Sequence, residues 1–184
     1  MQRIFLLGYM GAGKTTTGRE FSAQTGLSFI DLDVFIENRY HKTIRQIFEE
    51  QGEAAFRETE RKALREVAGI ENAVISTGGG TPCFFDNMAF MNAAGTTVYL
   101  KVSVDELALR LEASKNSRPM LKNLSGEALK QFISNTLSER SIFYEQAKII
   151  FAAERMMNGN DVGDLCRQLY AKVEDFARRE TGKR

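Results

Sequence analysis

The chain has 184 residues, 43% hydrophobic and 27% charged, which is the length of one domain and the composition of a globular protein able to bury a sizeable core. A net charge of +1, from 25 basic and 24 acidic residues, argues against nucleic acid or an anionic membrane as partner, and no apolar run approaches the ~18 residues of a membrane span. Two distant cysteines, Cys83 and Cys166, and a lone histidine, His41, argue against a zinc cluster, a disulfide framework, and serine–histidine or cysteine–histidine catalysis.

Ile4 to Leu7 reads as a buried strand that opens the chain, so no signal peptide is expected and a reducing cytoplasm fits. Gly8-Tyr9-Met10-Gly11-Ala12-Gly13-Lys14-Thr15 follows and fits the phosphate-loop pattern G-x-x-x-x-G-K-[ST] without a mismatch. A helix should run from Lys14 to Gln24 and close at Gly26. Phe29 to Leu32 is a second strand, and Asp33 to Tyr40 a short helix. Ile44, Ile47 and Phe48 mark a helix from Thr43 to Glu50, which Gly52 breaks. Another runs from Glu53 to Ala68 with Phe56, Ala63, Leu64 and Val67 on one face. Ala73 to Ser76 is a third strand, followed by Gly78-Gly79-Gly80. Pro82 suits the first turn of a helix reaching Ala93. Thr96 to Val102 is a fourth strand, and Asp105 is placed to cap a helix from Glu106 to Ala113. A polar stretch, Ser114 to Ser125, holds Arg118-Pro119. A long helix from Gly126 to Gln146, a fifth strand from Lys148 to Ala152 and a helix capped by Asp161 and ending near Arg179 complete the chain. Alternating strands and helices predict an α/β parallel sheet sandwiched by helices, with right-handed crossovers and no interdomain linker.

Ligands of such sheets collect beyond the carboxyl ends of the strands, and three ends carry unusual residues. At the first, backbone N–H groups of the glycine loop and the helix N-terminus cradle phosphate, Lys14 reaches the outer phosphates and the Thr15 hydroxyl suits Mg²⁺. At the second, Asp31 and Asp33 could divide metal binding and orientation of an acceptor hydroxyl, or Asp33 could simply cap its helix. At the third, the glycine triplet suits close approach of main chain to a ligand, or a tight turn.

Arg57 flanks the apolar face beside Phe56, with Glu53 and Glu60 spaced to hold it, or is a solvated helix arginine. Arg140 continues the inward stripe of Leu129, Phe132, Ile133, Thr136 and Leu137, where a charge needs a partner. An anionic substrate is one answer and a snorkelling side chain another. Arg118 suits a loop that closes over ATP, or an ordinary surface loop.

Taken in order, the phosphate loop, Asp31-Leu32-Asp33, Gly52-Glu53, Phe56-Arg57, Glu60, Gly78-Gly79-Gly80, Arg118-Pro119 and Arg140 resemble the bacterial shikimate kinases along nearly the whole chain. The resemblance implies a P-loop kinase of nucleoside monophosphate kinase type: a three-layer sandwich on a five-stranded parallel sheet in order 2-3-1-4-5. It implies one domain over 1–184, with a helical substrate subdomain at about 33–62 and a mobile lid at about 112–125. The implied reaction moves the ATP γ-phosphate to the 3-hydroxyl of shikimate, with Mg²⁺ as cofactor. Implied catalytic residues are Asp33, Lys14 and Arg118. Implied shikimate-binding residues are Asp33, Arg57, Gly78, Gly79, Gly80 and Arg140. The nucleotide would lie on Gly11, Ala12, Gly13, Lys14, Thr15, Thr16, Arg110 and Arg118, and the metal on Thr15 with Asp31 in its outer shell. A cytoplasmic monomer without nucleic acid or membrane partner is expected. The rival readings are a kinase of the same fold for gluconate or a nucleoside monophosphate, and a nucleotide-binding module without catalysis.

Overall fold

The computed structural model describes residues 2–114, 124–154 and 159–182. Five strands, β1 (Arg3–Leu7), β2 (Ser28–Asp31), β3 (Ala73–Ser76), β4 (Thr96–Lys101) and β5 (Ile149–Ala152), form one sheet in order β2-β3-β1-β4-β5. Every pairing is parallel, with Phe5 of the central strand set between Ile75 and Thr97. β1, β3 and most of β4 are buried on both faces, which is why they read as continuous apolar runs.

The strand alternation sends β1 side chains to two cores. Ile4 and Leu6 join Phe21 of α1 (Lys14–Thr25), Leu107 and Leu111 of α5 (Val104–Ala113), and Cys166, Leu169 and Val173 of α7 (Gly159–Thr181). Phe5 and Leu7 pack with Leu32 and Ile36 of α2 (Leu32–Tyr40), Phe56 and Leu64 of α3 (Ile44–Val67), and Met88 and Met91 of α4 (Asn87–Ala94). The remaining helix, α6 (Gly126–Tyr144), belongs to both faces. Its Leu129 and Ile133 sit in the first core, while Tyr144 stacks on Tyr99 at 5.1 Å, and Tyr99 alternates with the first-core residues Val98 and Leu100. α6 therefore passes over the carboxyl edge of the sheet, which puts its middle above the loops that follow β1 and β3.

The break expected at Gly52 is present: α3 is two helical stretches joined at a kink where Gly52 takes φ 78° and ψ 172°. Local structure departs from the sequence reading at three points. Asp31, not Asp33, caps α2, accepting hydrogen bonds from the amides of Asp33 and Val34. Ser103, not Asp105, caps α5, and Asp161 lies inside the first turn of α7. Pro82 belongs to a 3₁₀ turn, Thr81–Cys83, and α4 starts only at Asn87. Here the Asn87 side chain donates to the Thr81 carbonyl at 2.9 Å, which fastens the turn to the helix.

Candidate active site

β1 hands the chain directly to the phosphate loop, and the loop to α1. Gly13 sits at the N-cap with φ 90°, so the first amides of α1 face the loop interior. The Lys14 ammonium donates to the carbonyls of Gly8 at 2.8 Å and Tyr9 at 3.0 Å, curling over the loop it belongs to. Arg110 of α5 braces the loop. It donates to the Gly11 carbonyl at 3.4 Å and the Ala153 carbonyl at 2.9 Å, and Glu106 holds its Nε at 2.8 Å.

The two aspartates take different jobs. The Thr15 hydroxyl donates to Asp31 Oδ2 at 2.8 Å, while Asp31 Oδ1 caps α2. Asp33 is thereby left to face the cavity from the first helical turn. Burial pushes its carboxyl up from 3.8 to about 6, and the charges of Asp31 and Glu60 push the same way against the Lys14 ammonium.

A cavity of about 410 Å³ opens above the loop. Gly11, Gly13, Lys14, Thr15, Thr16, Asp31, Asp33, Gly78, Gly79 and Arg110 all line it. Ala12 does not, because its methyl is buried in the first core. Ser114 and Val162 complete the wall at the α5 and α7 end, where the sequence offered no signal. Arg118 and residues 115–123 of the expected lid lie outside the described residues.

Arg57 and Arg140 do not line this cavity. Arg57 is only 11% exposed along its side chain, and Glu53 and Glu60 hold it as their spacing predicts, at 3.1 and 2.9 Å. Its guanidinium lies 4.1 Å from the Phe84 ring centroid and 5.1 Å from that of Phe56. A Cβ on Gly80 would stand 2.9 Å from both terminal nitrogens of Arg57, so the third glycine is required by close approach. Arg140, partly buried, lies 5.8 Å from the Tyr9 ring centroid, and a Cβ on Gly79 would meet its Nη1 at 3.5 Å. Among the described residues no carboxylate forms an ion pair with Arg140, whereas Arg57 has two. Both guanidinium charges bear on the Cys83 thiol, although burial dominates and pushes that thiol up to about 11.

Glu60, expected to hold Arg57, has a second tie, and Tyr144 lay beneath the sequence reading. Glu60 is 1% exposed, and its second oxygen accepts from the Thr81 hydroxyl at 2.6 Å, so it ties Arg57 to the turn after the triplet. Its place at +4 from Phe56 and −4 from Leu64 puts it on the buried face of α3. Tyr144, at +4 from Arg140, donates its hydroxyl to the Gly79 carbonyl.

A parallel α/β sheet with a phosphate loop at its central strand, a divided aspartate pair beside it and two arginines across a glycine triplet defines a P-loop kinase, an ATP-dependent enzyme with a small acceptor. A family model described as shikimate kinase matches residues 10–170. A shikimate kinase of Parabacteroides distasonis is 62% identical over 169 residues, covering 92% of this chain and 98% of the relative. A crystal structure of shikimate kinase from Bacteroides thetaiotaomicron superposes with a TM-score of 0.91 at 49% identity, covering 94% and 98% of the two chains. A solved structure of the Acinetobacter baumannii shikimate kinase in complex with shikimate gives 0.81 at 33% identity, over 95% and 94%. The chain belongs to the shikimate kinase family. A gluconokinase from Sinorhizobium meliloti, 14% identical with a TM-score of 0.58, shares the fold alone.

Proposed function

We propose that this chain transfers the γ-phosphate of ATP to the 3-hydroxyl of shikimate, giving shikimate 3-phosphate and ADP in aromatic amino-acid biosynthesis. The observation that carries the reading is Arg140: a guanidinium without a carboxylate partner among the described residues, next to the triplet and across from Asp33. A small anionic acceptor supplies the missing carboxylate. Arg57 stands beside it with its Glu53 and Glu60 partners, and the main chain of Gly78, Gly79 and Gly80 forms the floor between them.

Held by its carboxylate, the acceptor presents a hydroxyl toward Asp33 and the cavity. Asp33 titrates near 6, so at neutral pH it is ionised yet close enough in basicity to accept the hydroxyl proton as the new O–P bond forms. The amides of the phosphate loop and the Lys14 ammonium stabilise charge spread over the transferring phosphoryl group. Fixing both reactants on one rigid sheet edge supplies the in-line geometry, which is the main part of catalysis for this reaction.

Among the described residues no group of three His, Cys, Asp or Glu side chains could hold a metal alone. The Thr15 and Asp31 oxygens, 2.8 Å apart beside the phosphate loop, fit Mg²⁺, which usually takes one or two protein oxygens and completes its shell with phosphate and water. Bound there it would neutralise developing negative charge on the phosphates. Residues 33–62 are assigned as the part that holds the acceptor. A cytoplasmic monomer is the accompanying reading.

A coupled ADP-release assay over a panel of acceptors tests the assignment. Turnover with shikimate is expected. Phosphorylation of gluconate or a nucleoside monophosphate in its place, or ATP binding without turnover on any acceptor, would overturn it.

A further inference from the structure

Tyr9 occupies a variable position of the phosphate-loop pattern, between Gly8 and Met10, and nothing in phosphate binding requires an aromatic ring there. Yet the side chain is 1% exposed and is one of the largest buried groups in the molecule. The Arg140 guanidinium lies 5.8 Å from its ring centroid. The Tyr9 hydroxyl faces Thr136 of α6, whose own hydroxyl donates to the Phe132 carbonyl at 2.9 Å. The Tyr9 hydroxyl itself makes no hydrogen bond of good geometry among the described residues. Burial of so large a ring with its polar end unsatisfied costs stability that the phosphate loop alone does not explain.

The surroundings supply a reason. A Cβ on Gly79 would stand 3.5 Å from Arg140 Nη1, 3.5 Å from the Met10 amide nitrogen and 3.6 Å from the Gly8 carbonyl oxygen. The acceptor arginine, the triplet and the loop backbone on either side of Tyr9 thus meet at one point. The Lys14 ammonium also holds the Gly8 and Tyr9 carbonyls. A nucleotide's outer phosphates would compete with those two carbonyls for the same ammonium, so loading the donor site would act on the backbone that carries the Tyr9 ring.

We propose that Tyr9 is a positioning residue that couples nucleotide loading to the acceptor site, its ring carrying the Arg140 guanidinium into place for the acceptor carboxylate. The inference rests on the reading of Arg140 as a carboxylate anchor. It assigns to the ring, not to the hydroxyl, the transmission between the two half-sites.

The test is the ratio of shikimate dissociation constants without nucleotide and at saturating ADP·Mg²⁺, measured by calorimetry on the unaltered enzyme, Tyr9→Phe, Tyr9→Leu and Arg140→Ala. The unaltered enzyme and Tyr9→Phe should bind shikimate about three- to tenfold tighter with nucleotide present, between the range of an exposed and that of a fully desolvated cation over a ring. In Tyr9→Leu the ratio should fall to about one and the KM for shikimate rise, with ADP affinity unchanged. As a measurement independent of folding of the variants, the Arg140 side-chain Nε–H resonance of the unaltered enzyme should shift when ADP·Mg²⁺ is added alone. A ratio near one in the unaltered enzyme, an undiminished ratio in folded Tyr9→Leu, or an unmoved Arg140 resonance overturns the coupling. Unchanged shikimate affinity in Arg140→Ala, or no shikimate binding by the unaltered enzyme, overturns the anchor reading on its own terms and the coupling with it.

Discussion

Asp33 shows most directly how function opposes stability at a single residue. Its carboxyl is raised from 3.8 to about 6, so between those values the folded chain binds more protons than the unfolded one. Stability therefore falls as pH rises through this window, and above about 6 the ionised group is a standing penalty. A rise of that size corresponds to at most about 3 kcal/mol. Asp33→Asn should recover part of this at pH 7, raising the midpoint of urea unfolding, while kcat drops on the order of 10²-fold or more. In the unaltered enzyme kcat/KM for shikimate should lose about tenfold per pH unit below about 6, as the free enzyme's base is protonated. A variant with unchanged stability and near-normal kcat would remove Asp33 from the chemistry. The two arginines separate on similar grounds. Arg140→Ala should weaken shikimate binding by roughly 2–4 kcal/mol and leave folding intact, because no described carboxylate depends on it. Arg57→Ala strands the buried Glu60 and should cost about 3–5 kcal/mol of stability as well. Denaturant midpoints measured beside shikimate KM values distinguish the two. The residue types at the site were legible because chemistry restricts them. Which aspartate caps α2 was not, since Asp31 and Asp33 both suit that role until the helix is seen to begin at Leu32.

The elements around the triplet show what spacing conveys and what it misses. The strands were readable within a residue or so, because a parallel sheet buries both faces and leaves unbroken apolar runs such as Ala73 to Ser76. Sheet order was not, since periodicity carries no information about neighbours; it entered with the family resemblance. Helix starts were weakest. Ser103 and Asp105 are both good caps, and the choice fell to Ser103, whose hydroxyl reaches the Glu106 amide. The turn Thr81–Cys83 could not be read as 3₁₀ either, because its geometry is set by Glu60 from α3 through the Thr81 hydroxyl. That same tie yields a prediction for the whole element. Gly80→Ala drives a methyl against the Arg57 guanidinium, which is clamped by Glu53 and Glu60 and cannot give way freely. kcat/KM for shikimate should fall on the order of 10–100-fold, the scale of a misplacement near 1 Å, with ATP affinity retained. Equal losses for both substrates would mean that the triplet, not Arg57, had been displaced.

At the scale of the molecule, two cores lie on opposite faces of one sheet, and both half-sites sit on its carboxyl edge. The donor side is built by β1, α1 and α5, and the acceptor side by α2, α3 and the turn after β3, with α6 passing over both. A ligand bound to either side therefore stabilises a structure that unfolds as one unit, by RT ln(1 + [L]/Kd), or about 2.7 kcal/mol at a hundredfold excess over Kd. For a domain of this size each kcal/mol moves the melting temperature by roughly 2–4 °C. Mg²⁺ with ADP alone should thus raise the midpoint of thermal unfolding by about 5–11 °C at that excess, and shikimate alone by a comparable amount at its own hundredfold excess. Two independent sites would give additive stabilisation. If the Gly79 junction links them, both ligands together should exceed the sum by the logarithm of the coupling ratio, about 0.6–1.4 kcal/mol for three- to tenfold. Calorimetric scans of the four ligation states measure this directly. Strict additivity would leave the two halves sharing an edge and nothing more, and a shift with nucleotide but none with shikimate at millimolar concentration would move the acceptor assignment to another small anion.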